Sequence, residues 1–170
     1  MVRHLSVDKV TAAKLAVLEA KAFLDRQVRA TADDMTAFAD QKGAAIFADD
    51  AAESGYLLLR IVVDEAEVLD LGVAPSARRQ GLGRALLVAA HRHAARVGAA
   101  KMFLEVAEDN RPAQGLYASL GYIETGRRAG YYLRPDGRRV DALTLARQLA
   151  GPSPSDGEGS SPSSDQGSVA

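Results

Sequence analysis

The sequence predicts an α/β protein: a mixed, mostly antiparallel central sheet with one parallel strand pair and helices flanking it. Three observations lead there. Between Gly43 and Pro75 the chain is rich in β-branched and aliphatic residues, in three runs broken by Gly, Asp or Pro. From Leu82 the period lengthens to that of a helix, and after Gly98 a strand-like run returns. That strand–helix–strand unit, Val68 to Val106, predicts a right-handed crossover between parallel neighbours, while hairpins on either side make the other pairs antiparallel.

Each element has its own signal. "VDKVTAAKLAVLEAKAF" predicts a first helix with Leu15, Leu18 and Ala22 on one face. "TADDMTAFAD" predicts a second, short one, with Thr31 as its cap and acids in its first turn. "GAAIFADD", "GYLLLRIVVDE" and "AEVLDLGVAP" are the three strands, the last two joined closely at Asp64-Glu65. In the long helix over 82–97, Leu82, Leu86, Ala89, Ala90, His93 and Val97 form one stripe, and Gly98 ends it. "AAKMFLEVAED" is the next strand. "RPAQGLYASLGY" is a short helix opening with Pro112 and stopping at Gly121. "YIETGRRAGYY" and "RRVDALTLARQL" predict a closing hairpin. Residues 1–150 are expected to be one domain, and the Ser-, Gly- and Pro-rich segment 151–170 a disordered tail.

Composition narrows the chemistry. With 47% hydrophobic and 25% charged residues the chain is an ordinary globular one. It holds no cysteine, so disulfides, thiolate metal sites and a thiol nucleophile are excluded. Of the three histidines, His91 and His93 are one residue apart on a helix and face different ways, so no metal centre is expected. No apolar run of membrane-spanning or signal-peptide kind occurs, and a cytoplasmic location is the expectation. Residues 1–77 carry eight basic and thirteen acidic side chains, residues 78–139 twelve basic and five acidic. A basic half of this kind suits a phosphorylated small molecule or nucleic acid.

The stretch "VAPSARRQGLGRALL" lies where the arginines gather. A helix N-terminus offers free N–H groups and partial positive charge, hence a site for phosphate. Gly81 and Gly83 would let the backbone approach an anion, with Arg78, Arg79 and Arg84 supplying counter-charge. The spacing is not that of a P-loop, and a Rossmann fingerprint would need glycine where Leu86 stands. A solvated basic loop is the plainer reading of so short a motif.

Arg78 to Gly83, R-x-x-G-x-G, preceded by "VLDLGVAP" and followed by "RALL", resembles the acetyl-coenzyme A signature of the GNAT superfamily of N-acetyltransferases. "FLEVAEDNRPAQGLYASLGYIETGRRAGYY" followed by "DALTLAR" is similar to its RimI-like branch, which acetylates protein N-termini, notably that of a small-subunit ribosomal protein. The resemblance implies a GNAT fold in which amides of Arg79, Gln80, Gly81, Leu82, Gly83 and Arg84 cradle the coenzyme diphosphate. It also implies that the strand holding Leu71 and Val73 splays from its neighbour to admit the pantetheine arm, with a backbone N–H near Val73 on the thioester carbonyl.

Glu105 sits in "KMFLEV", where Met102, Leu104 and Val106 share one strand face and Phe103 and Glu105 the other. A carboxylate in so apolar a strand is desolvated or faces a cleft, unless the strand is simply an exposed edge. The resemblance makes Glu105 the general base, Tyr117 the general acid for the coenzyme thiolate, and Asn110 a partner of the pantetheine arm. It sets Tyr131 and Tyr132 beside the peptide groove. Residue by residue, Tyr117 also suits a core position between Leu116 and Leu120, Asn110 a helix cap, and the tyrosine pair an exposed hairpin. An α-amine, titrating near ~8 against ~10.4 for lysine, needs only modest help from one base. Transfer would be direct. Other readings of the chain are acetylation of a small amine or lysine, a non-catalytic acyl-coenzyme A-binding module, and nucleic-acid binding by the basic half, which lacks an aromatic platform.

Overall fold

The computed structural model describes residues 1–23 and 29–149. The 151–170 segment, expected to be disordered, lies outside the described residues. Seven strands form one sheet in the order β1-β2-β3-β4-β5-β7-β6: β1 (Val2–His4), β2 (Ala44–Asp49), β3 (Gly55–Val62), β4 (Glu65–Val73), β5 (Lys101–Ala107), β6 (Ile123–Leu133) and β7 (Arg139–Gln148). Among the described residues only β4 and β5 pair in parallel, through a crossover that holds the long helix α3 (Leu82–Arg96). The mixed sheet and its one parallel pair agree with the expectation. β1 does not figure in it, since three residues are too few to show a period.

Strand alternation divides the core in two. Ala45 and Phe47 of β2 and Leu57 and Leu59 of β3 face α3 and α4 (Arg111–Ser119). Ile46, Ala48 and Tyr56 face α1 (Lys9–Ala22) and α2 (Ala32–Ala39). Leu57, Leu59, Leu86, Leu87 and Met102 are fully buried, each stabilising the fold by roughly 1.5–3 kcal/mol. Both first helices are capped by side chains: Asp8 Oδ1 accepts from Thr11 N at 2.7 Å, and Thr31 with Asp34 forms a reciprocal capping box.

α3 corrects one expectation. Its buried stripe is Leu86, Leu87, Ala90, His91 and Ala94, whereas His93 is partly buried and Val97 is exposed. Leu82 packs partly buried on the same core beside Gly55 of β3, so the phase is right at its start and drifts toward the far end of the helix. Alanines elsewhere in the helix suit any face. His91 and His93 do face different ways: His91 meets Tyr122, and His93 packs on His4 and Phe47.

Candidate active site

The site begins where the parallel pair parts. β4 and β5 are in register only from Glu65↔Lys101 to Val68↔Leu104. On its other side β4 carries a bulge: Leu59 faces Val68 while Leu58 faces Asp70, so Leu69 has no partner. An extra residue on one strand bends it and raises its twist. β5 meanwhile stays paired to β7 as far as Ala107. The result is a wedge between Asp70–Val73 and Glu105–Ala107, and the bulge is its cause. Ala74 N–H donates to Ser54 O at 2.8 Å on the β3 side. Alternation therefore turns the neighbouring N–H of Val73 toward the wedge.

At the mouth of the wedge lies the glycine loop. Pro75–Ala77 form a single 3₁₀ turn, Arg79 has φ +62°, and Gly81, at φ +83°, caps α3. Two left-handed residues in so short a span turn successive amides to one side. Ala85 N–H donates to Gly81 O at 3.0 Å. Among the described residues, nothing accepts from the amides of Arg79, Gln80, Gly81, Leu82, Gly83 or Arg84. These donors sit at the positive end of a fifteen-residue helix, which fits them to hold a diphosphate. A Cβ on Gly81 would meet nothing within 4 Å, so the space in front of the loop is open. A Cβ on Gly83 would stand 3.3 Å from Leu116 Cδ2 and 3.8 Å from Val73 Cγ2. Gly81 is thus required by its backbone angle and Gly83 by the narrowness of the passage.

The arginines divide. Arg78 donates from Nε to Val73 O at 3.1 Å and from Nη2 to Ala22 O at 2.8 Å. It braces the end of α1 against the end of β4. Arg84 donates to Ser119 Oγ at 3.2 Å and Gln80 to Ser76 O at 2.8 Å, both beside the loop. Leu71 and Leu82 pack partly buried against the α3 core.

Along β5, Met102, Leu104 and Val106 are buried and Glu105 turns the other way, as the alternation predicts. Glu105 lines a cleft of about 470 Å³ on the sheet face that α1 and α2 leave uncovered, together with Phe103, Glu67 and Thr144. Its carboxylate accepts from Arg128 Nη1 at 3.1 and 3.3 Å. The Arg128 guanidinium also lies 4.0 Å from the Tyr131 ring centroid, and Tyr131 stands edge-on to Tyr132. The tyrosine pair is thereby gathered to Glu105 by one arginine.

Tyr117, in α4, is buried. Burial first, then the negative charge of Asp70, then Tyr132, push its phenol up to about 12. Tyr132 is raised as well, by burial and then by Glu105. Asn110 caps α4, its side-chain oxygen accepting from Ala113 N at 3.3 Å. Its amide nitrogen makes no such contact among the described residues. Both sequence-based readings of Asn110 are therefore compatible, one for each end of the amide.

Two participants are missing from the sequence prediction. Asp70, which accepts from Tyr56 Oη at 2.7 Å, had the same signal as Glu105, an acid inside an aliphatic strand. Arg128 had none, because β6 pairs with β7 through two register shifts. Among the described residues no group of His, Cys, Asp or Glu is placed to hold a metal, and no helix is long and apolar enough to cross a membrane.

The likeness to known proteins follows this geometry. A ribosomal protein bS18-alanine N-acetyltransferase of Escherichia coli K12 is 38% identical over 97 residues, covering 57% of this chain and 65% of that protein. One from Haemophilus ducreyi is 34% identical over 94 residues. The chain thus spans just under two thirds of the length of these curated relatives. Among solved structures, the E. coli ribosomal-protein-S18-alanine N-acetyltransferase superposes with a TM-score of 0.76 at 27% identity, over 91% of this chain and 98% of that one. An acetyltransferase from Salmonella typhimurium solved with acetyl-CoA shares the fold, with a TM-score of 0.73 at 21% identity over 88% of this chain and 94% of that one. The pattern of the Acetyltransferase (GNAT) family matches residues 14–122, which takes in the bulged strand, the glycine loop, Glu105 and Tyr117. The splayed strands and the loop between them are accordingly a family architecture, and the chain belongs to the Acetyltransferase (GNAT) family.

Proposed function

We propose that this protein transfers an acetyl group from acetyl-coenzyme A directly to the α-amino group of a protein N-terminus, with a small-subunit ribosomal protein of the bS18 kind as acceptor. The observation that carries this is the row of unengaged amides from Arg79 to Arg84 at the mouth of a wedge flanked by Glu105 and Tyr117. The names of the curated relatives support the choice of acceptor.

In this reading the diphosphate rests on the amides and the acyl arm lies between β4 and β5. The Val73 N–H meets the thioester oxygen as negative charge gathers there. Arg128 holds the Glu105 carboxylate in place, ready to take a proton from the acceptor nitrogen through water. The new C–N bond forms as the C–S bond breaks. The nitrogen's proton goes to Glu105, and the sulfur leaves with its electron pair. Tyr117, held up to about 12, stays protonated and always has an O–H to offer. A thiol, near ~8.5, is the stronger acid, so the phenol stabilises the thiolate chiefly as a hydrogen-bond donor. The sulfur's proton equilibrates with water afterwards.

The test is a mass-spectrometric screen with acetyl-CoA against N-terminal peptides, free lysine and polyamines. Acetylation confined to peptide α-amines is expected. Transfer only to lysine or polyamines would overturn the acceptor class, and no transfer with any amine would overturn the enzymatic reading.

A further inference from the structure

Tyr117 is held by a buried polar chain that the transfer chemistry does not itself use. Tyr122, just past the end of α4, donates its N–H to Tyr117 O at 3.1 Å, and its ring stands edge-to-face with the Tyr117 ring at 5.8 Å. Tyr122 Oη lies 2.9 Å from His91 Nε2 in α3. His91 Nδ1 in turn lies 3.4 Å from Arg147 Nη1 of β7, and the same guanidinium nitrogen donates to Leu120 O at 2.5 Å. Tyr122 and His91 are both buried.

The donor directions are fixed by chemistry. A guanidinium can only donate, so Nδ1 is the acceptor and the neutral ring carries its proton on Nε2. Nε2–H then donates to Tyr122 Oη. Burial, then the charge of Arg147, hold His91 down to about 4, so the ring stays neutral at working pH. A buried polar group is costly unless paired, and here both ring nitrogens of His91 find a partner. An apolar side chain at position 91 would fill the same space without these requirements. The chain of contacts joins α3, which bears the glycine loop at its other end, to the last turn of α4 and to β7.

We infer that His91 and Tyr122 are positioning residues that fix the Tyr117 phenol relative to the end of α3, and hence to the sulfur of a thioester seated on the glycine loop. The inference rests on the proposed role of Tyr117. Misplacement of a reacting group by about 1 Å costs on the order of a hundredfold, so a modest loosening of this support is visible in turnover.

The experiment is a double-mutant cycle on the full chain, with steady-state kinetics on the best acceptor peptide. Tyr122→Phe keeps the ring and removes only the hydroxyl. His91→Gln keeps a side-chain N–H donor, and His91→Phe removes it. Tyr122→Phe and His91→Phe are each expected to lower kcat about tenfold, with the KM for acetyl-CoA within about twofold, and His91→Gln to recover most of the loss. In a Tyr117→Phe background the same changes are expected to have no further effect. Equal losses in both backgrounds, a loss confined to KM, or no loss from Tyr122→Phe would overturn the inference. If Tyr117→Phe alone leaves kcat unchanged, the failure belongs to the proposed mechanism instead.

Discussion

Replacing Gly83 by glutamate is expected to weaken acetyl-CoA binding at least a hundredfold while leaving the protein as stable as before. Gly83 lies in the first turn of α3 without a left-handed backbone angle, so a side chain there raises helix propensity by up to about 1 kcal/mol. A carboxylate near a helix N-terminus is favourable in itself. The same carboxylate stands where the diphosphate would enter, in a passage whose walls, Leu116 and Val73, already lie at contact distance from a Cβ. Bulk and like charge act together against the ligand, while in the fold only the flexible end of Leu116 has to give by a few tenths of an ångström. Calorimetric titration with acetyl-CoA, alongside a melting curve of the free protein, separates the two. Affinity within tenfold of the parent would place the diphosphate elsewhere.

Glu105→Gln is the second large effect, a fall of kcat by about 10²–10³-fold with acetyl-CoA affinity little changed. The amide is nearly isosteric, and its oxygen can still accept from Arg128, so the hairpin that carries Tyr131 and Tyr132 keeps its place. What is lost is the base. Because hydroxide can take the acceptor's proton in place of the lost carboxylate, the deficit is expected to shrink as the pH is raised. Rates measured from pH 6 to 9.5 check both features. Unchanged turnover would return Glu105 to a surface ion pair with Arg128, worth little by itself.

What the sequence revealed and what it hid follow from the range of the interactions involved. The glycine loop is a local device in which backbone angle, helix start and arginines all fall within a few positions, so Arg78 to Gly83 could be read directly. Glu105 was legible through strand alternation, which needs only its immediate neighbours. The partners of Arg78, Val73 O and Ala22 O, were hidden because they come together only in the folded chain. Arg128 was invisible for the same reason: the shifts between β6 and β7 set which residue reaches Glu105. The bulge at Leu69 that opens the wedge depends on the pairing of β4 with β3, which no pattern within β4 encodes. In α3 the error was one of phase, since an alanine-rich helix does not declare its buried face.

The most direct test of the whole account is a crystal structure of the full chain with acetyl-CoA. Diphosphate oxygens are expected within about 3 Å of main-chain nitrogens from Arg79 to Arg84, with the acyl arm running between β4 and β5 toward Tyr117. A diphosphate bound elsewhere, or those amides bonded within the protein, would contradict it.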